Sequence, residues 1–138
     1  MPPARPRPAE LQHLRPSNAA GWLVVSLVTV ITALGLALAV NPRFPIWLLG
    51  QFVLSLALLQ WFVVLHECGH DTLFASKRLN VAVGRLAGFF SAIPFASWRR
   101  VHGRHHRWTG WQDLDPTTET LVKPELVVRA SAGRAPVP

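Results

Sequence analysis

Residues 21–65 read GWLVVSLVTVITALGLALAVNPRFPIWLLGQFVLSLALLQWFVVL, and this stretch decides the fold. It contains two runs of 20 residues without a charge, 21–40 and 46–65, separated by NPRFP. A helix of 20 residues is about 30 Å long, which matches the hydrocarbon layer of a bilayer. Asn and Pro favour turns, so the short connection predicts a tight antiparallel hairpin of two transmembrane helices.

The charge distribution supports a membrane protein over a nucleic-acid-binding one. The formal charge is +7, which in a soluble protein would raise the possibility of nucleic-acid binding, but half of the residues are apolar and only 15% are charged. The connecting turn carries Arg43 alone, whereas three arginines precede the first run and ten basic residues follow the second. The positive-inside rule therefore predicts that both ends of the hairpin face the cytoplasm.

The segment after the second run is apolar but interrupted. Residues 76–98 contain Arg85 near the middle and Pro94 towards the end. A third crossing would place Arg85 in hydrocarbon at a cost of about 2.5 to 3.5 kcal/mol. We therefore expect a helix over about residues 79–97 that lies in the cytoplasmic interface.

The ends of the chain differ in composition from its middle. Residues 1–20 are rich in Pro, Arg and Ala and predict a mobile tail, and residues 116–138 predict an irregular one. The expected membrane domain covers residues 21–115. The predicted class is an all-α membrane protein, with a transmembrane hairpin, an interfacial helix and cytoplasmic helices that carry histidines.

Two histidine clusters flank the interrupted segment. HECGH occupies residues 66–70 and HGRHH occupies residues 102–106. Spacings of i, i+4 and i, i+3, i+4 gather imidazoles on one face of a helix. Because imidazole nitrogens need polar partners or a metal, the clusters predict one metal site with five candidate ligands. These are His66, His70, His102, His105 and His106.

The first cluster fits two metals. As His-Glu-x-x-His it is typical of zinc proteases, in which His66 and His70 would bind zinc and Glu67 would be the general base. That interpretation needs only one further ligand and leaves HGRHH without a role. A pair of iron ions would use both clusters, because imidazole suits iron and two metals need more ligands than one.

The flanking residues carry a resemblance to a known family. HECGHDTLFASKRLN followed by SWRRVHGRHHRWTG resembles the first two histidine boxes of membrane fatty acid desaturases, over about residues 45–125. The resemblance implies a non-haem di-iron enzyme that uses O₂ and two electrons from a ferredoxin- or cytochrome-type donor. Its substrate would be the acyl chain of a membrane lipid, which gains a double bond.

The resemblance also implies roles for individual residues. It makes the five box histidines the iron ligands and implies no catalytic residue beyond them. Glu67 and Asp71 are then expected to accept hydrogen bonds from imidazole N–H groups and to fix the tautomers of the ligands.

The sequence departs from the family pattern after the second box. Desaturases carry a third histidine box, but no histidine follows His106. We therefore expect an incomplete fragment that binds iron weakly and has little activity alone. Other histidine-box enzymes stay open as alternatives, namely carotenoid ketolases or hydroxylases, suggested by DLDP at 113–116, and alkane hydroxylases. A non-catalytic membrane fragment is a further alternative.

Overall fold

The computed structural model describes residues 15–111 and 114–117. This part of the chain contains four helices and no strand, which confirms the predicted all-α class. The helices are α1 (Asn18–Ala39), α2 (Phe44–Gly69), α3 (Lys77–Phe90) and α4 (Phe95–Trp108). The chain divides into two compact units, one that ends at Phe95 and one that begins at Ala96.

The first two helices are long and apolar enough to cross a membrane. They have 22 and 26 residues and mean hydropathies of 2.3 and 2.1. The helix α2 begins two residues before the predicted run, at Phe44, and Pro45 lies in its first turn. Proline is tolerated there because the first turn of a helix leaves its N–H groups unpaired. At its other end α2 continues to Gly69, so the first histidine cluster extends the same helix.

Small residues and one polar pair hold α1 against α2. A Cβ atom on Gly50 would overlap the backbone nitrogen of Ala39, so the two backbones approach closely near the turn. Farther along, the indole N–H of Trp61 donates to the hydroxyl of Thr32 over 3.0 Å. Close contact through small residues and hydrogen bonds is typical of helix pairs in membranes.

The helix α3 also packs against α2. The ring of Trp61 stacks on Phe90 with centroids 4.5 Å apart. The loop between α2 and α3 is anchored by Phe74, which is fully buried and meets Trp22 of α1 edge-on at 5.4 Å. The loop that follows the first histidine cluster is therefore fixed to the start of α1.

The predicted helix over residues 79–97 is broken in the structure. The helix α3 ends at Phe90, and Ala92 has the left-handed φ of 54° that commonly ends a helix. The N–H of Ile93 donates back to Gly88 over 2.9 Å, and Pro94 has no N–H with which to continue the helix. A second helix then begins at Phe95. Each of the two helices has only 14 residues, about 21 Å, which is too short to cross a bilayer alone.

Candidate metal centre

The first histidine pair lies at the end of α2. His66 and His70 are one turn apart, and their ring centroids are 4.6 Å apart. Glu67 Oε1 lies 3.2 Å from His66 Nδ1, while the Thr72 hydroxyl donates to Glu67 Oε2 over 2.7 Å. Thr72 therefore holds the carboxylate beside His66, in a position from which it can accept a hydrogen bond from Nδ1–H. The tautomer-fixing role of Glu67 stays a prediction that this geometry supports.

Asp71 terminates α2. Its φ is 59°, and its N–H donates to the carbonyl of Cys68 over 3.2 Å. The next N–H, of Thr72, donates to the carbonyl of Glu67 over 3.1 Å, which completes a Schellman motif. Asp is one of the few residues besides Gly that tolerate this conformation. The backbone thus gives Asp71 a structural role, and its predicted contact with an imidazole stays a prediction.

The second histidine group lies on α4. The Nε2 atoms of His102 and His106 are 3.0 Å apart. Without a metal, one nitrogen must donate a proton to the other. Two ligand nitrogens at about 2.1 Å from a metal and at a right angle to each other are also about 3.0 Å apart, so the spacing fits a shared ion. Trp98 stacks on His102 with centroids 4.3 Å apart and restricts its ring.

His105 stands apart from this pair. Its ring centroid is 6.1 Å from that of His102 and 5.7 Å from that of His106. Its Nδ1 lies 2.9 Å from both carboxylate oxygens of Asp115, whose side chain is only 2% exposed. His105 is therefore held through one ring nitrogen, and the other ring nitrogen is its candidate ligand atom.

Asp115 is anchored by the residue two positions along. The backbone N–H of Thr117 donates to Asp115 Oδ1 over 2.9 Å, and the Thr117 hydroxyl donates to the same oxygen over 2.8 Å. Burial raises the pKa of Asp115, but the hydrogen bonds from Thr117 and His105 outweigh it and lower the pKa to about 2. The carboxylate is therefore ionised at neutral pH and can only accept hydrogen bonds.

A tight turn brings this carboxylate back to the helix. Gly110 has a φ of 87°, which side-chain-bearing residues rarely adopt, and the N–H of Trp111 donates to the carbonyl of Trp108 over 2.9 Å. The N–H of Asp115 then donates to the carbonyl of Trp111 over 3.0 Å. Residues 114–117 thereby return to the level of His105.

Sequence analysis missed the roles of Asp115, Thr117 and Trp98. The available signal was Asp-Pro-Thr at 115–117, since an Asp side chain that accepts from the N–H two residues on is a common turn. The pattern predicts the turn but not which histidine it faces. Trp98 was detectable as the residue four positions before His102, which places the two rings on one helical face.

The described residues define an all-α membrane protein with histidine groups suited to metal binding. The family model for fatty acid desaturases matches residues 42–134. The chain belongs to the fatty acid desaturase family.

Named relatives agree with this assignment. Over 102 residues the chain is 36% identical to "Probable fatty acid desaturase DES1" of Sorghum bicolor, covering 74% of this chain and 26% of the relative. It is 32% identical over 111 residues to the sn-1 oleoyl-lipid 12-desaturase of a Picosynechococcus species, which covers 78% of this chain and 30% of the relative. It is 39% identical over 84 residues to the sn-1 acyl-lipid omega-3 desaturase (ferredoxin) of a Nostoc species, which covers 58% of this chain and 23% of the relative.

The chain spans between about a quarter and a third of the length of these relatives. No solved structure matches the chain significantly. Family membership therefore rests on sequence similarity, and it favours the desaturase interpretation of HECGH over the zinc-protease one.

Proposed function

We propose that this chain supplies five histidine ligands to a di-iron centre that desaturates the acyl chains of membrane lipids. The observation that carries the proposal is the pair of histidine groups at ligand spacing within the matched region, His66 with His70 and His102 with His106. Both groups would have to contribute to the same centre, whereas a zinc protease would use only the first.

The donor set fits iron. All five candidate ligands are imidazoles, which suit iron, and three of them are restrained by a neighbouring side chain. Iron would supply the activation of O₂ when bound. In the overall reaction, –CH₂–CH₂– of the acyl chain, O₂, two electrons and two protons give –CH=CH– and two water molecules.

The residues of this chain would position the ligands and limit their motion. Glu67, held by Thr72, restrains His66, while Trp98 restrains His102 by stacking. His66 and His70 extend a helix that is long enough to cross a membrane. That continuity would place them where the chain leaves the hydrocarbon, within reach of a substrate that is itself part of the bilayer.

The substrate and donor follow from the relatives and from charge. One relative is named for an oleoyl lipid and another for ferredoxin, so we infer a lipid-bound acyl substrate and a ferredoxin-type donor. On α4, Arg100, Arg104 and Arg107 are exposed, on the face opposite the histidines. An acidic donor protein would be attracted to such a face. The chain would be a multi-pass membrane protein with its histidine boxes in the cytoplasm, where such a donor is available.

Titration with ferrous iron tests the shared centre. The full chain in detergent, without oxygen, should bind iron weakly, and His70→Ala and His102→Ala should each weaken binding at least tenfold, since each removes a ligand. His13→Ala is the matched control, because His13 is the histidine outside both boxes. Its binding curve should coincide with that of the unchanged chain.

The same titration with zinc distinguishes the alternative. A zinc protease site would bind zinc tightly through His66 and His70, so His102→Ala would leave its affinity unchanged. That result, or iron binding that is insensitive to both box variants, would contradict the proposal.

A further inference from the structure

We propose that Asp115 is a positioning residue that fixes the proton of His105 on Nδ1 and leaves Nε2 free to bind metal. The proposal assigns a role to a carboxylate outside both histidine boxes. It deepens the proposed function, on which it rests for the identity of the metal, but the tautomer itself can be measured without any metal.

The hydrogen bond between Asp115 and His105 has only one possible direction. Both oxygens of Asp115 lie 2.9 Å from His105 Nδ1, and an aspartate carboxylate, ordinarily ionised at neutral pH, can only accept. The ring nitrogen must therefore carry the proton. Neutral imidazole has one N–H, so a proton on Nδ1 leaves a lone pair on Nε2.

The carboxylate of Asp115 is held in place by its neighbour Thr117. Asp115 is buried, and two groups of Thr117, its N–H and its hydroxyl, donate to Oδ1. These two hydrogen bonds hold the carboxylate beside the ring. Carboxylates that hold the distal nitrogen of a ligating histidine commonly fix its tautomer and orientation.

The same ring nitrogen is presented by the other two histidines of α4. His102 and His106 face each other through their Nε2 atoms. With Nδ1 of His105 directed at Asp115, all three histidines of the second box offer the same nitrogen, Nε2, to a ligand. A box that presents one kind of nitrogen needs no ring to turn when a metal enters.

The geometry makes Asp115→Asn a decisive variant. The two Thr117 donors should select the amide oxygen for the position of Oδ1, because an NH₂ group cannot accept them. The amide NH₂ then takes the position of Oδ2, beside His105 Nδ1, where it can donate to that nitrogen. The amide oxygen at the Oδ1 position still lies 2.9 Å from Nδ1, so the ring proton loses one of its two acceptors there, and the tautomer protonated on Nε2 should gain population.

Nuclear magnetic resonance of the metal-free full chain, labelled with ¹⁵N-histidine in detergent micelles, reads the tautomers directly. At a pH of about 8, where ordinary imidazoles are neutral, His105 should be protonated on Nδ1 in most molecules. In Asp115→Asn the fraction of molecules protonated on Nε2 should rise. His102 and His106 are internal controls, and their signals should keep their tautomers in both proteins.

Two further measurements distinguish a role of Asp115 in positioning His105 from a role in forming the turn alone. The amide signal of Thr117 should stay close to its original position in Asp115→Asn, because the substituted side chain still accepts from that N–H. Asp115→Ala removes both carboxylate oxygens and leaves the Thr117 hydroxyl, 3.1 Å from His105 Nδ1 and able to donate or accept, so His105 should show a mixture of both tautomers.

A His105 protonated on Nε2 in the unchanged chain would overturn the proposal, and so would an unchanged tautomer in Asp115→Asn. The second result would mean that Asp115 only forms the turn. Because no iron is present, neither result depends on whether the two histidine groups share a centre. Failure of the iron titration would overturn the proposed function and leave the tautomer result standing.

Discussion

The buried side chain of Asn80 makes three hydrogen bonds to the backbone of the segment just before α3. It is fully buried, its Oδ1 accepts from the N–H of Phe74 over 3.1 Å, and its Nδ2 donates to the carbonyl of Phe74 over 2.7 Å. The same amide donates to the carbonyl of Ser76 over 3.2 Å. One side chain on α3 thereby holds the loop that follows the first histidine box.

Replacing Asn80 with Ala should cost about 3 kcal/mol of stability, since a buried group left without its partner costs about 1 to 3 kcal/mol. The measurement is unfolding of the full chain in mixed micelles by increasing amounts of an ionic detergent, followed by circular dichroism.

Asn41→Ala is the matched control. Asn41 also accepts from a backbone N–H, that of Arg43 over 3.0 Å, but in an exposed turn where water can replace it. Its loss should cost less than about 1 kcal/mol. Equal losses for the two variants would show that Asn80 is not the anchor of the loop.

At the residue scale, the sequence points to candidate metal ligands more directly than to the residues that support them. A ligand is recognisable because its chemistry and spacing are visible in the chain. The partners Thr72, Asn80 and Asp115 depend on turns whose φ values the sequence does not state. A left-handed Asp71 or Ala92 is an example, because neither residue type demands that conformation.

Among the elements, α4 and the turn after it contain two glycines with opposite requirements. Gly103 lies in the middle of the helix, and a Cβ atom there would meet nothing within 4 Å. Gly110 also has open space, but its φ of 87° is one that side chains rarely adopt. Because a Cβ atom would meet no neighbour at either site, comparing the two glycines measures the effect of backbone conformation without a change in packing.

Gly103→Ala should stabilise α4 by about 1 kcal/mol, because Ala loses less backbone entropy than Gly in a helix. Gly110→Ala should destabilise the turn by about 1 to 2 kcal/mol, because a Cβ atom opposes a positive φ. Amide hydrogen exchange of the full chain, read at the N–H groups of α4 and at Thr117, measures both changes.

We expect protection from exchange to rise in Gly103→Ala and to fall in Gly110→Ala. The fall in Gly110→Ala should be largest at the N–H of Thr117. Two stabilising substitutions would indicate that Gly110 does not hold the turn that returns Asp115 to His105. That outcome would also remove the backbone basis for the Asp115 contact.

At the element scale, hydropathy predicted the two long helices to within four residues at each end. It failed at residues 91–94, where a helix of apolar residues stops at Phe90. The apolar composition of these residues favours a continuous helix. The helix ends because Ala92 adopts a rare φ before Pro94. Local backbone conformation overrides average hydropathy at such a point.

For the whole molecule, the side of the membrane on which each histidine box lies decides whether the two boxes can share a metal centre. By length and composition alone, α3 and α4 taken together also pass as one broken span. Arg85, exposed on α3, argues against that crossing, because a charge at the bilayer centre costs about 2.5 to 3.5 kcal/mol. We therefore expect both boxes on the cytoplasmic side.

Single cysteines labelled by a membrane-impermeant maleimide test this topology. Cys68 is the only native cysteine and is fully buried, and Cys68→Ala gives a background without thiols. Into it, Pro42→Cys places a thiol in the exposed turn between α1 and α2. Lys77→Cys and Gly103→Cys place exposed thiols after the first box and within the second.

In intact cells the cysteine at position 42 should react, and those at positions 77 and 103 should react only in inverted vesicles. Agreement between positions 77 and 103 is the decisive comparison, since both boxes must face one side to share a centre. A thiol at 103 that reacts from the opposite side to 77 would mean that α3 and α4 cross the bilayer. The two histidine groups would then be separated by the membrane, and a shared iron centre within this chain would be physically impossible.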